Sequence, residues 1–216
     1  MSKEARDKTL LMAVNRILTT KKSIVREGVD IRMKILTTLA AVNPCVKEAV
    51  IRYVTNNIRS RIELAFSWLY EECALLQGFQ WCTSLCLMTP EVLHQAYNDF
   101  LIKLVPSIQN VDGEDRNSLL SRVYLEAPLI TEDAVKALKT ISSDGTWRLA
   151  PLQLLKELVI KRPTKQHAFL NILLCHTKHN NSTIRENAII LLIELNAHPE
   201  LTKMIKEHSV LQHIHL

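Results

Sequence analysis

Between Ile58 and Leu76 the residues Ile58, Ile62, Ala65, Phe66, Leu69, Cys73 and Leu76 recur at helical spacing and draw one apolar stripe. Arg59, Arg61, Glu63, Ser67, Glu71 and Glu72 fall off that stripe, so the pattern predicts an amphipathic helix with a solvated, charged outer face. Gly78 lies just past the stripe and predicts its stop, because glycine readily adopts the left-handed conformation that closes a helix. The same period returns in Leu93, Tyr97, Phe100, Leu101, Leu104, Val105 and Ile108. Thr89 predicts the cap of that second helix, with Pro90 at its first position and Glu91 beside the positive dipole end.

Comparable punctuation runs along the chain. Asn43-Pro44 opens a helix reaching to about Asn56, and Thr131 precedes Glu132 and Asp133. Thr183 and Glu186 form a capping box before Ala188–Leu195. Pro151 falls in the first turn of a helix starting near Thr146, Pro163 ends that helix, and Pro199 opens the last one. The segments Ala49–Thr55 and Ala188–Ile193 are rich in β-branched residues, but their flanking caps favour helix. Only four glycines occur in 216 residues, too few for the turns of a sandwich or barrel. The chain is long enough to bury a sizeable core without disulfides or metal. The expectation is an all-α chain of about ten or eleven helices, residues 1–216 forming a single domain, with Asn110–Arg116 and Gln77–Pro90 as its most loop-like stretches.

An internal repeat is present in outline. Ile31-Arg32, Ile58-Arg59 and Ile184-Arg185 are each followed by apolar residues four and eight positions after the isoleucine, and Asp30, Asn57 and Asn181 lie just upstream. This resembles the turn and second helix of a HEAT repeat, in which an Asx side chain satisfies turn amides and the arginine reaches a neighbouring turn. The spacing of the copies is irregular, but with helical punctuation throughout it favours a HEAT-like helical-repeat array, an α-solenoid, over a closed bundle.

Charge is distributed in blocks. Residues 1–62 hold 13 Lys+Arg and 5 Asp+Glu, residues 63–135 hold 3 and 11, and residues 136–216 hold 11 and 6. On a one-dimensional array such blocks become alternating charged surfaces suited to several partners. The five cysteines, odd in number and irregular in spacing, predict reduced thiols. No stretch of 18 apolar residues is present and the N-terminus resembles neither a signal nor a transit peptide, so no membrane insertion is expected.

The chemistry-bearing residue types are sparse. Cys82 and Cys86 share one helical turn but supply only two ligands. Cys175-His176-x-x-His179 sits at an expected helix end, where imidazoles interact with terminal carbonyls. His208, His213 and His215 read as exposed. Nucleophile elbows, zinc-protease motifs and phosphate-cradling glycine loops do not occur, so neither an enzymatic activity nor a cofactor or small-molecule substrate is expected. The basic clusters are Lys21-Lys22-x-x-x-Arg26, Arg52 with Arg59 and Arg61, and Lys161-Arg162-Pro163-Thr164-Lys165. Arg59, Arg61, Lys161, Arg162 and Lys165 are the candidate partner contacts, for an acidic protein surface or, more weakly, for RNA phosphates. Exposed aromatics, on which single-stranded RNA stacks, are not interleaved with them.

Four blocks resemble the symplekin family of pre-mRNA 3′-end-processing scaffolds. They are Ile31–Leu36 (IRMKIL), Ile58–Glu72 (IRSRIELAFSWLYEE), Leu125–Glu132 (LEAPLITE) and Leu155–Gln166 (LKELVIKRPTKQ), in the order and at spacings similar to those of that family's helical C-terminal half. The resemblance covers most of the chain and weakens over Gln77–Pro90 and Asn110–Arg116. It implies a non-enzymatic nuclear scaffold, with a further pool at cell junctions. Its partners would be the metallo-β-lactamase subunits of the cleavage and polyadenylation specificity factor, and cleavage stimulation factor, in poly(A) and histone pre-mRNA processing. It also implies that the chain is a fragment or short isoform, since the family continues for several hundred residues and carries its phosphatase-binding surface in a separate N-terminal domain. A direct RNA-binding module and a generic helical-repeat adaptor are the alternatives.

Overall fold

In a computed structural model, residues 2–20, 26–79 and 89–211 are described. Eleven α-helices occur among them: α1 Lys3–Thr19, α2 Arg26–Val42, α3 Pro44–Thr55, α4 Ile58–Leu76, α5 Pro90–Gln109, α6 Gly113–Glu126, α7 Glu132–Ser143, α8 Ala150–Lys161, α9 Gln166–His176, α10 Ser182–Asn196 and α11 Pro199–Leu211. Short 3-10 turns, Gly145–Trp147 and Pro163–Lys165, lie before and after α8. No strand occurs among the described residues, and no described helix is long and apolar enough to cross a membrane.

The caps explain most of these boundaries. Asn43 Oδ1 accepts from Cys45 N at 3.2 Å, Thr89 Oγ1 from Val92 N at 3.5 Å and Thr131 Oγ1 from Ala134 N at 3.3 Å. Each satisfies an amide that the first turn leaves without an intrahelical acceptor. Gly78, at φ +84, ends α4: Gly78 N donates to Leu75 O and Phe79 N to Ala74 O, both at 3.0 Å. That is the paired closure of a Schellman turn, and a side chain at this φ would be strained.

Three local expectations are corrected. The cap of α10 is Asn181, whose Oδ1 accepts from Thr183 N at 2.9 Å and Ile184 N at 3.4 Å, so the helix begins before the Thr183–Glu186 pair. α8 starts at Ala150 rather than near Thr146, because Asp144 holds Thr146 in a 3-10 turn through Thr146 N at 3.0 Å and Thr146 Oγ1 at 2.9 Å. Residues from Gly113 to Arg116, expected as loop, are the first turn of α6, where Glu114 and Asp115 suit the dipole.

The chain divides into two compact units. The first comprises Met1–Asp112 with Ala127–Leu129, the second Gly113–Glu126 with Ile130–Leu216. In the first unit α4 is central, packing on α2, α3 and α5. Its stripe is buried as expected from Ile58 to Cys73, and Trp68 joins it fully buried, its ring centroid 5.9 Å from that of Phe100. The buried face is therefore wider than the stripe, and it takes in Glu72, which was expected on the solvated face. Tyr97 ties the separate segment Ala127–Leu129 into this unit: its hydroxyl donates to Leu129 O at 2.7 Å and accepts from Leu129 N at 3.0 Å.

In the second unit α8 and α9 carry much of the core, with Leu154, Leu155, Leu158, Phe169, Leu170 and Leu173 buried. The Tyr124 hydroxyl donates to Ala134 O at 2.7 Å, and burial pushes the phenol pKa up. In both units the main packing partners of a helix are those one and two places along the chain.

The burial and capping that the sequence pattern expects occur in two of its three copies. Ile58 and Ile62, and Ile184 and Ala188, are buried, and Asn57 and Asn181 cap their helices. Arg185 Nη1 also reaches a neighbouring turn, donating to His179 O at 2.9 Å. In the first copy Ile31 is 58% and Ile35 44% exposed. α2 starts at Arg26, so Asp30 lies inside the helix rather than ahead of it, and Met33, Leu36, Thr37 and Ala40 form the buried face.

The charge blocks do not follow the units. The first unit holds 14 Lys+Arg and 11 Asp+Glu and the second 13 and 11, so each mixes both signs. Basic and acidic helices pack together within the first unit, as Lys47 of α3 shows by lying 3.9 Å from Asp99 of α5.

Candidate functional site

The candidate contact residues divide between the units. Arg59 stands exposed in the first turn of α4. Arg61, two residues on, lies back on α3: its guanidinium carbon is 3.7 Å from the Tyr53 ring centroid and its Nη1 donates to Tyr53 O. The other three gather where α8 meets α9 in the second unit. Lys161 pairs with Glu157 at 2.8 Å and remains 59% exposed, Arg162 Nη2 donates to Leu125 O at 2.6 Å, and Lys165 pairs with Glu132. This stretch is a tight junction, closed further by Gln166 Nε2 donating to Val159 O at 2.7 Å. Arg61, Arg162 and Lys165 therefore hold the helices together as well as carrying charge. Arg59 and Lys161 present the more solvent-facing cations.

The histidine motif at the end of α9 is corrected in detail. His176 does not cap the terminal carbonyls. It is buried, with Nε2 2.7 Å from Ser142 Oγ on α7. Ser142 Oγ donates to Lys139 O at 2.9 Å, which leaves it to accept from His176 Nε2–H. Burial first, then the nearby His179 and Lys139, hold the His176 pKa down at about 4. His179 Nδ1 accepts from Asn181 N at 3.1 Å, and Cys175 faces solvent. The His176 and His179 rings stand edge to face with centroids 5.7 Å apart, while Cys175 turns away from them to solvent, and no group of three metal-binding side chains occurs among the described residues. Ser142 is 1% exposed, so the Ser142–His176 pair is closed to substrates and serves packing. Trp81, Cys82, Cys86, His213 and His215 lie outside the described residues, as does the side chain of His208.

A buried neutral imidazole ties stability to pH. The folded pKa lies below the unfolded value of 6.5, so the contribution is present above that value and is lost as the pH falls from 6.5 through about 4. The second unit is expected to lose on the order of 2 kcal/mol over this interval through His176. Urea unfolding near neutral pH and near pH ~4.5 measures it. His176→Gln should flatten the difference, and an unchanged acid slope would assign the effect elsewhere.

A cleft in the first unit has no counterpart in the sequence reading. It has a volume of about 370 Å³, and Ala40, Leu75, Leu93 and Ala96 give it apolar walls beside Thr37, Lys47, Glu72 and Asp99. Glu72 is 8% exposed; Oε1 accepts from Trp68 Nε1 at 2.8 Å, and Oε2 has no hydrogen-bond partner among the described residues. Lys47 Nζ points elsewhere, donating to Ala96 O at 3.0 Å and lying 3.9 Å from Asp99 Oδ2. Burial raises the Glu72 pKa to about 7, against the opposing pull of Lys47 and the Trp68 hydrogen bond. One signal for this was present in the sequence. Trp68 and Glu72 are four residues apart, so a Trp68 turned inward carries Glu72 in with it.

No family model matches the chain, and no solved structure matches it.

Proposed function

We propose that this chain is a non-catalytic helical scaffold of the symplekin type, acting in pre-mRNA 3′-end cleavage and polyadenylation in the nucleus. Its helices would form a HEAT-like array whose surfaces gather the metallo-β-lactamase subunits of the cleavage and polyadenylation specificity factor and cleavage stimulation factor.

The single observation that supports this best is that the resembling blocks coincide with framework residues. Leu125–Glu132 and Leu155–Gln166 are distant in sequence but meet through Arg162 donating to Leu125 O and the Lys165–Glu132 pair. Ile58–Glu72 likewise runs along the central helix of the first unit. A shared framework is the part of a resemblance that carries a fold, and stacked helices expose long surfaces to partners. Of the five candidate contacts, Arg59 and Lys161 are the more exposed and so the better placed to meet an acidic partner surface.

Co-purification tests the reading. The tagged chain, added to nuclear extract treated with RNase, is expected to retain the metallo-β-lactamase subunits and cleavage stimulation factor. Retention that disappears on RNase treatment, together with an affinity for RNA that falls steeply with salt, would favour an RNA-binding module instead. Retention of none of these proteins would leave a generic helical adaptor.

A further inference from the structure

We propose that the cleft between α2, α3, α4 and α5 receives the side chain of a lysine from a partner polypeptide, its ammonium group bonded by Glu72 and Asp99. The inference concerns any polypeptide partner and does not rest on the processing-complex reading.

Three observations converge on it. Glu72 lines the cleft, and its Oε2 is removed from water and has no hydrogen-bond partner among the described residues. A buried carboxylate without a donor is costly, so the site is incomplete as it stands. The local charges do not balance either. With Glu72 ionised, it and Asp99 face one cation among the described residues, Lys47, which is directed at Ala96 O and Asp99 rather than at Glu72, while Asp99 Oδ1 accepts from Gln95 Nε2 at 2.6 Å. One further positive charge closes the set. Finally, the walls formed by Ala40, Leu75, Leu93 and Ala96 are apolar, and they suit a methylene stem carrying that charge at its tip. An acidic ligand would meet two carboxylates, and a purely apolar one would leave Glu72 Oε2 without a donor.

The groups facing Glu72 set the pH response. They are Lys47 on α3, Asp99 on α5 and the Trp68 indole on α4 itself, while α2 contributes Thr37 and Ala40 to the lining. The folded pKa of Glu72 is raised to about 7, so the carboxylate form that an ammonium group needs gains population as the pH rises through that value. Affinity should rise about tenfold between pH ~6 and pH ~8.

The test uses the full chain, uniformly labelled with nitrogen-15, titrated with acetyl-Leu-Lys-Leu-amide and with the same peptide carrying norleucine for lysine. The expected result is that the lysine peptide shifts the Trp68 indole and Ala96 amide resonances. It should bind at least tenfold more tightly than the norleucine peptide at pH ~8, and show the stated pH dependence. Glu72→Gln should weaken it about tenfold at pH ~8 and flatten the pH dependence, and Asp99→Asn should weaken it to a smaller extent. The proposal is overturned if the two peptides bind alike, if Glu72→Gln leaves affinity and pH dependence unchanged, or if neither peptide shifts the cleft resonances. The peptide comparison stands on the unmodified protein and does not depend on how either variant folds.

Discussion

Glu72→Gln is expected to stabilise the first unit by on the order of 3 kcal/mol at pH ~8 and by almost nothing at pH ~4. The sign follows from the direction of the shift. The folded pKa, about 7, lies above the ordinary glutamate value of 4.5, so the native state holds a proton that the unfolded chain has released between these values. Stability is fully present below the lower value and is lost as the pH climbs through the higher one. Glutamine removes the ionisation and keeps the oxygen that accepts from Trp68 Nε1. Urea unfolding at the two pH values, followed by tryptophan fluorescence, checks this. An equal gain at both would mean that burying the charge is not what the native state suffers from. Because His176 acts in the opposite direction, the first unit should gain and the second lose stability as the pH falls.

Trp147→Ala is expected to destabilise the second unit by roughly 3–5 kcal/mol, the range for removing a fully buried large aromatic side chain. Trp147 is 1% exposed at the end of the 3-10 turn between α7 and α8. The Arg116 guanidinium lies 4.6 Å from its ring centroid, and Arg116 Nη2 donates to Thr146 O at 3.0 Å, so α6 is fastened to the turn through the same place. The next residue, Arg148, has φ +52, a strained value for a side-chain-bearing residue that the anchored turn must sustain. The midpoint of urea unfolding measures the loss. A change below about 1 kcal/mol would mean that the turn is held by Asp144 alone.

Much of the helical layout was legible because it is local. The caps Asn43, Thr89 and Thr131 and the stop at Gly78 act within a few residues, and the stripes of α4 and α5 need only a period of 3.6. What escaped was set by other helices. Glu72 reads as solvated until α2, α3 and α5 cover it together with Trp68. His176 reads as a cap until α7 offers Ser142. Arg162 and Lys165 read as partner contacts until Leu125 and Glu132 meet them from 37 and 33 residues away. The charge blocks failed as a guide to surface for the same reason: Lys47 and Asp99 belong to blocks of opposite sign and lie side by side. The cleft depends wholly on such distant meetings, and only the Trp68–Glu72 spacing hinted at it.

The measurement closest to the central claim is cross-linking of the chain in nuclear extract, with the linked partners identified by mass spectrometry. The scaffold reading predicts links from its surface lysines to the metallo-β-lactamase cleavage subunits and to cleavage stimulation factor. Links confined to proteins outside the 3′-end-processing machinery, at a chain concentration where the same extract still cleaves pre-mRNA, would contradict it.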